Sequence, residues 1–390
     1  MTDFNNFNAE NENINAEGSN IPSAEGVLEE TEQISQLKDP FEIKQEIRET
    51  IDSNEIVRNQ AINVNFNKML DPELFVEKNK IKEDARTIGA AFLVMYGFIF
   101  LLNLIVVIAE MILQLSSLTE AAEILLSPAV IQVEQILFSS AAFTLPFLLI
   151  YRLSGIRISN LISFSVPKIK NAVPYFLMGV AFCSFANIVS SIAESMFEKS
   201  NIDYNVTRPE NPSGFFGFML ALISTVIVPA LVEEFACRGL MLGLLKKHGE
   251  GFAIIASSLL FGLMHGNFEQ IPFAFMVGLV LGFITVKSGT ILIAMAVHAF
   301  NNFVSIVFEY FLADVPQNIQ NTGYLIFLII CLLLGIFTIY LFRKKEDFYS
   351  LEPSKFKAGE GKKLIWFFTS VPIIIYTVFC LMESLQFFEF

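Results

Sequence analysis

"GFFGFMLALISTVIVPALVEEFACRGLMLGLL" (residues 214–245) is apolar enough to enter a bilayer and longer than the roughly 20 residues a crossing helix needs. It nevertheless carries Glu233, Glu234 and Arg238 in its interior. A charged side chain at mid-membrane costs about 2.5–3.5 kcal/mol even on lenient insertion scales. The stretch therefore implies a membrane helix together with a chemistry that requires polar groups inside it. It also contains Pro229, which has no N–H to give the carbonyl of Thr225. A kink is expected there.

The rest of the chain repeats the first half of that message. Of 390 residues 54% are hydrophobic, 41 of them Phe, and the mean hydropathy is +0.56. Apolar blocks lie at 87–113, 127–150, 172–193, 214–245, 252–266, 268–286, 289–312, 323–342 and 364–386. The fold class is an all-α polytopic membrane protein of eight or nine transmembrane helices. Nine crossings put every Lys/Arg-rich connection on one side: Lys78 to Arg86, Arg152 to Lys170, Lys246 with Lys247, Lys287 and "FRKKED". The segment 114–126 has acids and no base. By the bias of basic loops toward the cytoplasm, the N-terminus is cytoplasmic and the C-terminus outside.

The net charge of −13 is concentrated in residues 1–80, where 17 acidic and 7 basic side chains leave −10. Rich in Asn and Glu with little to bury, this segment is expected to be a largely disordered tail, with a short amphipathic helix from about Asp39 to Val57. No signal peptide is evident. Residues 81–342 form the expected helical core, 343–363 a cytoplasmic linker, and 364–390 an additional helix with the C-terminus. Cys183, Cys237, Cys331 and Cys380 sit in apolar blocks without metal-ligand spacing and read as small core residues. The Asn205-Val-Thr sequon reads as accidental.

Three polar clusters interrupt the apolar blocks: Glu233-Glu234-x-x-x-Arg238, Phe261-x-x-x-His265, and His298-x-x-Asn301-Asn302. Glu234 and Arg238 are one helical turn apart and can pair. Glu233 points about 100° away and is left for general-base work. His298 and Asn302 share a face, with Asn301 off it as a structural partner. His248, in the polar "KKHGEG", is assigned no role. Hydrogen-bonding glue between helices explains a lone intramembrane His, but not two His, two Glu, an Arg and an Asn together.

The ordered set Glu-Glu-x-x-x-Arg, Phe-x-x-x-His, His-x-x-x-Asn, within about 214–306, resembles the CAAX protease and bacteriocin-processing family of intramembrane endopeptidases. That family includes the type II CAAX prenyl endopeptidase. The resemblance implies that Glu233 and His265 activate a water, that His298 and Asn302 stabilise the oxyanion, and that Glu234 and Arg238 hold the helices in register. It also implies a metalloendopeptidase with a divalent ion, zinc, on Glu233, His265 and His298. A metal-free Glu/His mechanism stays open beside it. The expected partners are a peptide or membrane-anchored protein substrate and the surrounding lipid, with no nucleic acid. The expected location is a bacterial plasma membrane, since the Phe- and Asn-rich composition suggests an AT-rich genome. Peptide processing or self-immunity then outweighs prenyl-protein processing. Two other classes are a proton- or ion-coupled transporter and an inactive membrane scaffold; no internal repeat supports the first. The physiological substrate and the oligomeric state leave no trace in the sequence.

Overall fold

Helices form where the apolar blocks lie. The computed structural model describes residues 72–116, 118–199, 212–312, 314–342, 350–352 and 357–387, and every regular element among them is helical. The chain divides into residues 1–76 and 77–390; the site belongs to the second unit. The expected tail as far as residue 71, the helix expected near 39–57, the Asn205 sequon, and 343–349 and 353–356 of the linker lie outside the described residues.

The elements in order are α1 (Pro72–Leu115), α2 (Thr119–Leu125), α3 (Pro128–Leu153), α4 (Ile169–Lys199), α5 (Gly214–His248), α6 (Glu250–Leu263), α7 (Gln270–Ser288), α8 (Leu292–Phe311), α9 (Gln317–Phe342), α10 (Glu360–Phe368) and α11 (Val371–Leu385). Two boundaries move from expectation. α1 begins at Pro72, inside the segment assigned to the tail, and α10 begins at Glu360, inside the assigned linker.

The count of crossings also moves. Seven helices are long and apolar enough to span, or eight if α10 and α11 count as one broken span. The nine-crossing reading overcounts at α6, which has 14 residues and so extends about 21 Å, short of the ~30 Å hydrocarbon core. α6 and α7 pack antiparallel: Gly262 faces Ile271 and Phe275, Gly278 faces Ser258, and Gly282 faces Ile254. Their turn therefore stops inside the bundle. The last block bends by 78° between α10 and α11. Ser370 is extended and Pro372 sits in the first turn of α11, where a missing N–H removes no helix bond.

The bend does not detach the C-terminal helices. Phe92 of α1 stacks on Tyr376 of α11 at 4.4 Å and meets Phe147 of α3 edge-on at 5.1 Å. Gly89 lets α1 approach Pro372 so closely that a Cβ there would lie 2.7 Å from the Pro372 Cβ. One buried cluster joins α1, α3, α5, α6, α10 and α11; a second joins α4, α7 and α8. All four cysteines are buried and free.

α5 is not a uniform α-helix. Leu222–Ile227 and Phe235–Met241 are π-helical, on either side of the α-helical Val228–Glu234. Widened turns of this kind rotate the side chains that follow, and they recur at functional positions.

Candidate active site

The three motifs converge. Glu234 is fully buried, and its Oε1 accepts from Arg238 Nη1 at 2.9 Å and from His298 Nδ1 at 2.9 Å. The expected one-turn pair on α5 therefore exists and also reaches α8. Arg238 extends the tie further: Nη2 donates to the carbonyl of Gly278 on α7 at 3.4 Å, and its guanidinium lies 4.1 Å over the Phe261 ring of α6. A single buried cation thus links α5, α6 and α7, while its carboxylate partner holds α8.

Glu233 follows a different course. It lines a cavity of about 800 Å³ together with His265, His298, Asn301 and Asn302, and its Oε2 is buried without a hydrogen-bond partner among the described residues. Adjacent carboxylates on one helix thus occupy two environments: Glu234 is tied to Arg238 and His298 through Oε1, and Glu233 faces the cavity.

Both histidines are oriented by their Nδ1 atoms. In His265 it donates to the carbonyl of Phe261 at 2.8 Å; in His298 it donates to Glu234. Because each acceptor is an oxygen without a proton, each neutral ring keeps Nε2 as a lone pair. The Phe of Phe-x-x-x-His is more than a spacer. Its carbonyl sets the His265 tautomer, and its ring lies 5.0 Å from the His265 ring and 6.0 Å from that of His298.

Asn302 answers the missing N–H of Pro229. Its Nδ2 donates at 2.9 Å to the carbonyl of Thr225, the group that Pro229 leaves without a helix partner. Asn301 accepts from Asn187 Nδ2 of α4 at 2.9 Å and donates to Asn302 Oδ1 at 3.2 Å. Tyr324 of α9 donates to Asn187 Oδ1 at 3.2 Å. This amide chain crosses α4, α8, α9 and α5. Asn187 was passed over in the sequence, although an amide inside an apolar block was a signal for it.

The turn carrying His265 has a second support. Gly266 has φ +64, and a Cβ added to it would lie 2.9 Å from the carboxylate of Glu383 on α11. Tyr96 of α1 donates to that carboxylate at 3.0 Å. Nothing in the sequence connected positions 96, 266 and 383.

Among the described residues no three His, Cys, Asp or Glu side chains are gathered so as to hold a metal ion. Glu233, His265 and His298 as arranged do not form the three-ligand set that a zinc site takes. No step is routed through a metal below.

Fold and site together define an integral membrane protein of bundled helices, with carboxylate, imidazole and amide groups sunk around an internal cavity. The family model for type II CAAX prenyl endopeptidase Rce1-like proteins matches residues 215–304, so this segment, 90 of 390 residues, is similar to a protease family. No curated protein and no solved structure gave a significant match to the chain.

Proposed function

We propose that the chain is an intramembrane endopeptidase in which Glu233 and His265 activate the water that attacks a peptide carbonyl. The observation that carries this reading is the division of labour between neighbours. Glu234 is tied through its Oε1 to Arg238 and His298 and does not line the cavity, whereas Glu233 lines it beside His265 and has no ion-pair partner among the described residues. His265, with Nδ1–H held by Phe261, has Nε2 available to accept a hydrogen bond from the water and orient it, and Glu233 takes the proton. The hydroxide adds to the carbonyl carbon, and the acquired proton passes to the leaving amine as the C–N bond breaks. His298, whose Nδ1–H is held by Glu234, faces the same cavity, where it stabilises the developing oxyanion. Asn302 spends one amide N–H on Thr225 and has a second for the same purpose. Arg238 and Glu234 are positioning residues.

The location that fits is a bacterial plasma membrane with the N-terminus in the cytoplasm. The test is cleavage of a quenched-fluorescence peptide library by detergent-solubilised protein, beside Glu233→Gln. Loss of cleavage in that variant, with normal yield and melting temperature, is the expected result. Wild-type rates in Glu233→Gln would overturn the base assignment, and no cleavage by the wild type would overturn the peptidase reading.

A further inference from the structure

The cavity opens at one end of the bundle. Its lining comes from the C-terminal halves of α4 and α8, the middle of α5, the α6–α7 turn and the first turns of α9. The opposite ends of the same helices meet each other. Lys247 at the end of α5 lies 2.9 Å from Asp84 in α1, Lys363 of α10 donates to the His248 carbonyl at 2.7 Å, and Thr290 before α8 donates to the Ser163 carbonyl before α4 at 3.3 Å. At the cavity end, Tyr310 of α8 donates to the Pro212 carbonyl before α5 at 2.9 Å. The stunted α6 explains why a cavity exists there: its turn falls short and leaves His265 on the floor of a space that a full-length helix would fill.

Charge separates these ends. The closed end carries Lys78, Lys80, Lys82 and Arg86, then Arg152, Arg157, Lys168 and Lys170, and later Lys246, Lys247 and Lys287. At the cavity end, the described residues of the α1–α3 and α8–α9 connections hold three acids, Glu120, Glu123 and Asp314, and no Lys or Arg. This asymmetry survives the revised helix count, because α6 and α7 leave and return to the closed end as a pair. Basic connections stay in the cytoplasm. The mouth of the cavity then faces away from it. The lining also contains Glu194, Glu233 and Glu309, no Lys or Arg, and a majority of amide, hydroxyl and carboxylate groups. Such a wall concentrates cations and would leave its polar groups unsatisfied against an alkyl or prenyl chain.

Resting on the endopeptidase reading above, we infer that the substrate reaches Glu233 from the non-cytoplasmic face, as a polar peptide segment bearing Lys or Arg. A lipidated C-terminus in the cytoplasm is on the wrong side of the bundle.

Two readouts test this independently. The first is labelling of Asn321→Cys, on the exposed first turns of α9, with a membrane-impermeant maleimide, against Lys82→Cys at the closed end. The four native cysteines are buried, so background is low. Sealed right-side-out vesicles should label Asn321→Cys and spare Lys82→Cys; the reverse pattern overturns the sidedness. The second is cleavage of impermeant Lys/Arg-rich quenched peptides, expected in right-side-out vesicles and latent in inside-out ones until detergent is added. Cleavage confined to inside-out vesicles overturns the inference. No cleavage even in detergent counts against the endopeptidase reading, and the labelling still decides the side. Glu194→Gln with Glu309→Gln should raise KM for the basic peptides about 3- to 10-fold at similar kcat; an unchanged KM overturns the charge selectivity.

Discussion

Among the described residues two buried histidine–carboxylate pairs are formed, and one of them lines the cavity that Glu233 shares. His298 Nδ1 lies 2.9 Å from Glu234, and its ring lines the space that Glu233 and His265 share. His248 Nε2 lies 2.6 Å from Asp84, fully buried where α1, α5 and α10 meet. There Lys247 also contacts Asp84, Lys363 donates to the His248 carbonyl, and Glu77 accepts from the Ala358 N–H at 3.2 Å. The pairs are chemically alike and positionally opposite. In the sealed cluster, named partners from three helices surround the carboxylates, so charge serves to join elements. At the cavity, the Glu233 carboxylate lines open space, and there charge can act on a substrate. A histidine beside an acid is therefore not by itself a sign of catalysis; access is the discriminating feature.

The comparison breaks most decisively at Glu233. Glu233→Gln should lower kcat by about 10³-fold or more, with yield and insertion as in the wild type, because Glu233 Oε2 has no hydrogen-bond partner among the described residues to lose. Arg238→Ala comes next. It strands Glu234 without its cation, a loss of about 3–5 kcal/mol when a buried pair is broken, so yield and cleavage should fall together. Normal accumulation of an inactive Arg238→Ala protein would move Arg238 from the scaffold to the chemistry.

Asn302→Ala should cost about 10²-fold in kcat, in the range for one oxyanion donor, with a small further loss of stability from the freed Thr225 carbonyl. Asn187→Ala lies on the same amide chain but should affect stability alone, by about 1 kcal/mol. Equal kinetic losses in both would assign the chain to folding. For the sealed pair, Asp84→Asn should depress the melting temperature while kcat per folded molecule holds. If kcat also falls, the two regions are coupled through α5.

Metal dependence sharpens the cavity's side of the comparison. With no three ligands gathered, a chelator should leave cleavage within about twofold of the untreated rate. Stoichiometric zinc that disappears together with activity in His298→Ala would show that Glu233, His265 and His298 close into a ligand set. The smallest effect is expected from deleting the acidic segment. A chain starting at residue 72 keeps α1 and Glu77, which accepts from Ala358, and should cut a short peptide at the wild-type rate. Correct insertion without cleavage would give that segment a part in gating.

The membrane class, the positions of the helices and the identity of the polar groups were determined by the sequence alone. Long apolar runs have no alternative but helices in lipid, and a charge inside one stands out against them. The Glu234–Arg238 pair was legible because it is local, one turn apart on one helix. So was the carbonyl that Pro229 leaves without a helix partner, since a missing N–H is a property of the residue. The donor that answers it was not, because Asn302 lies 77 positions from Thr225 and only folding brings them together. The same holds for Asp84 with His248 and for Glu383 beside Gly266. Tertiary structure also decided which carboxylate is tied to Arg238 and His298 and which lines the cavity, and that α6 ends inside the bundle with His265 at its tip. Hydropathy reports whether a segment prefers lipid, whereas these distinctions depend on which groups from distant segments fill the space around it.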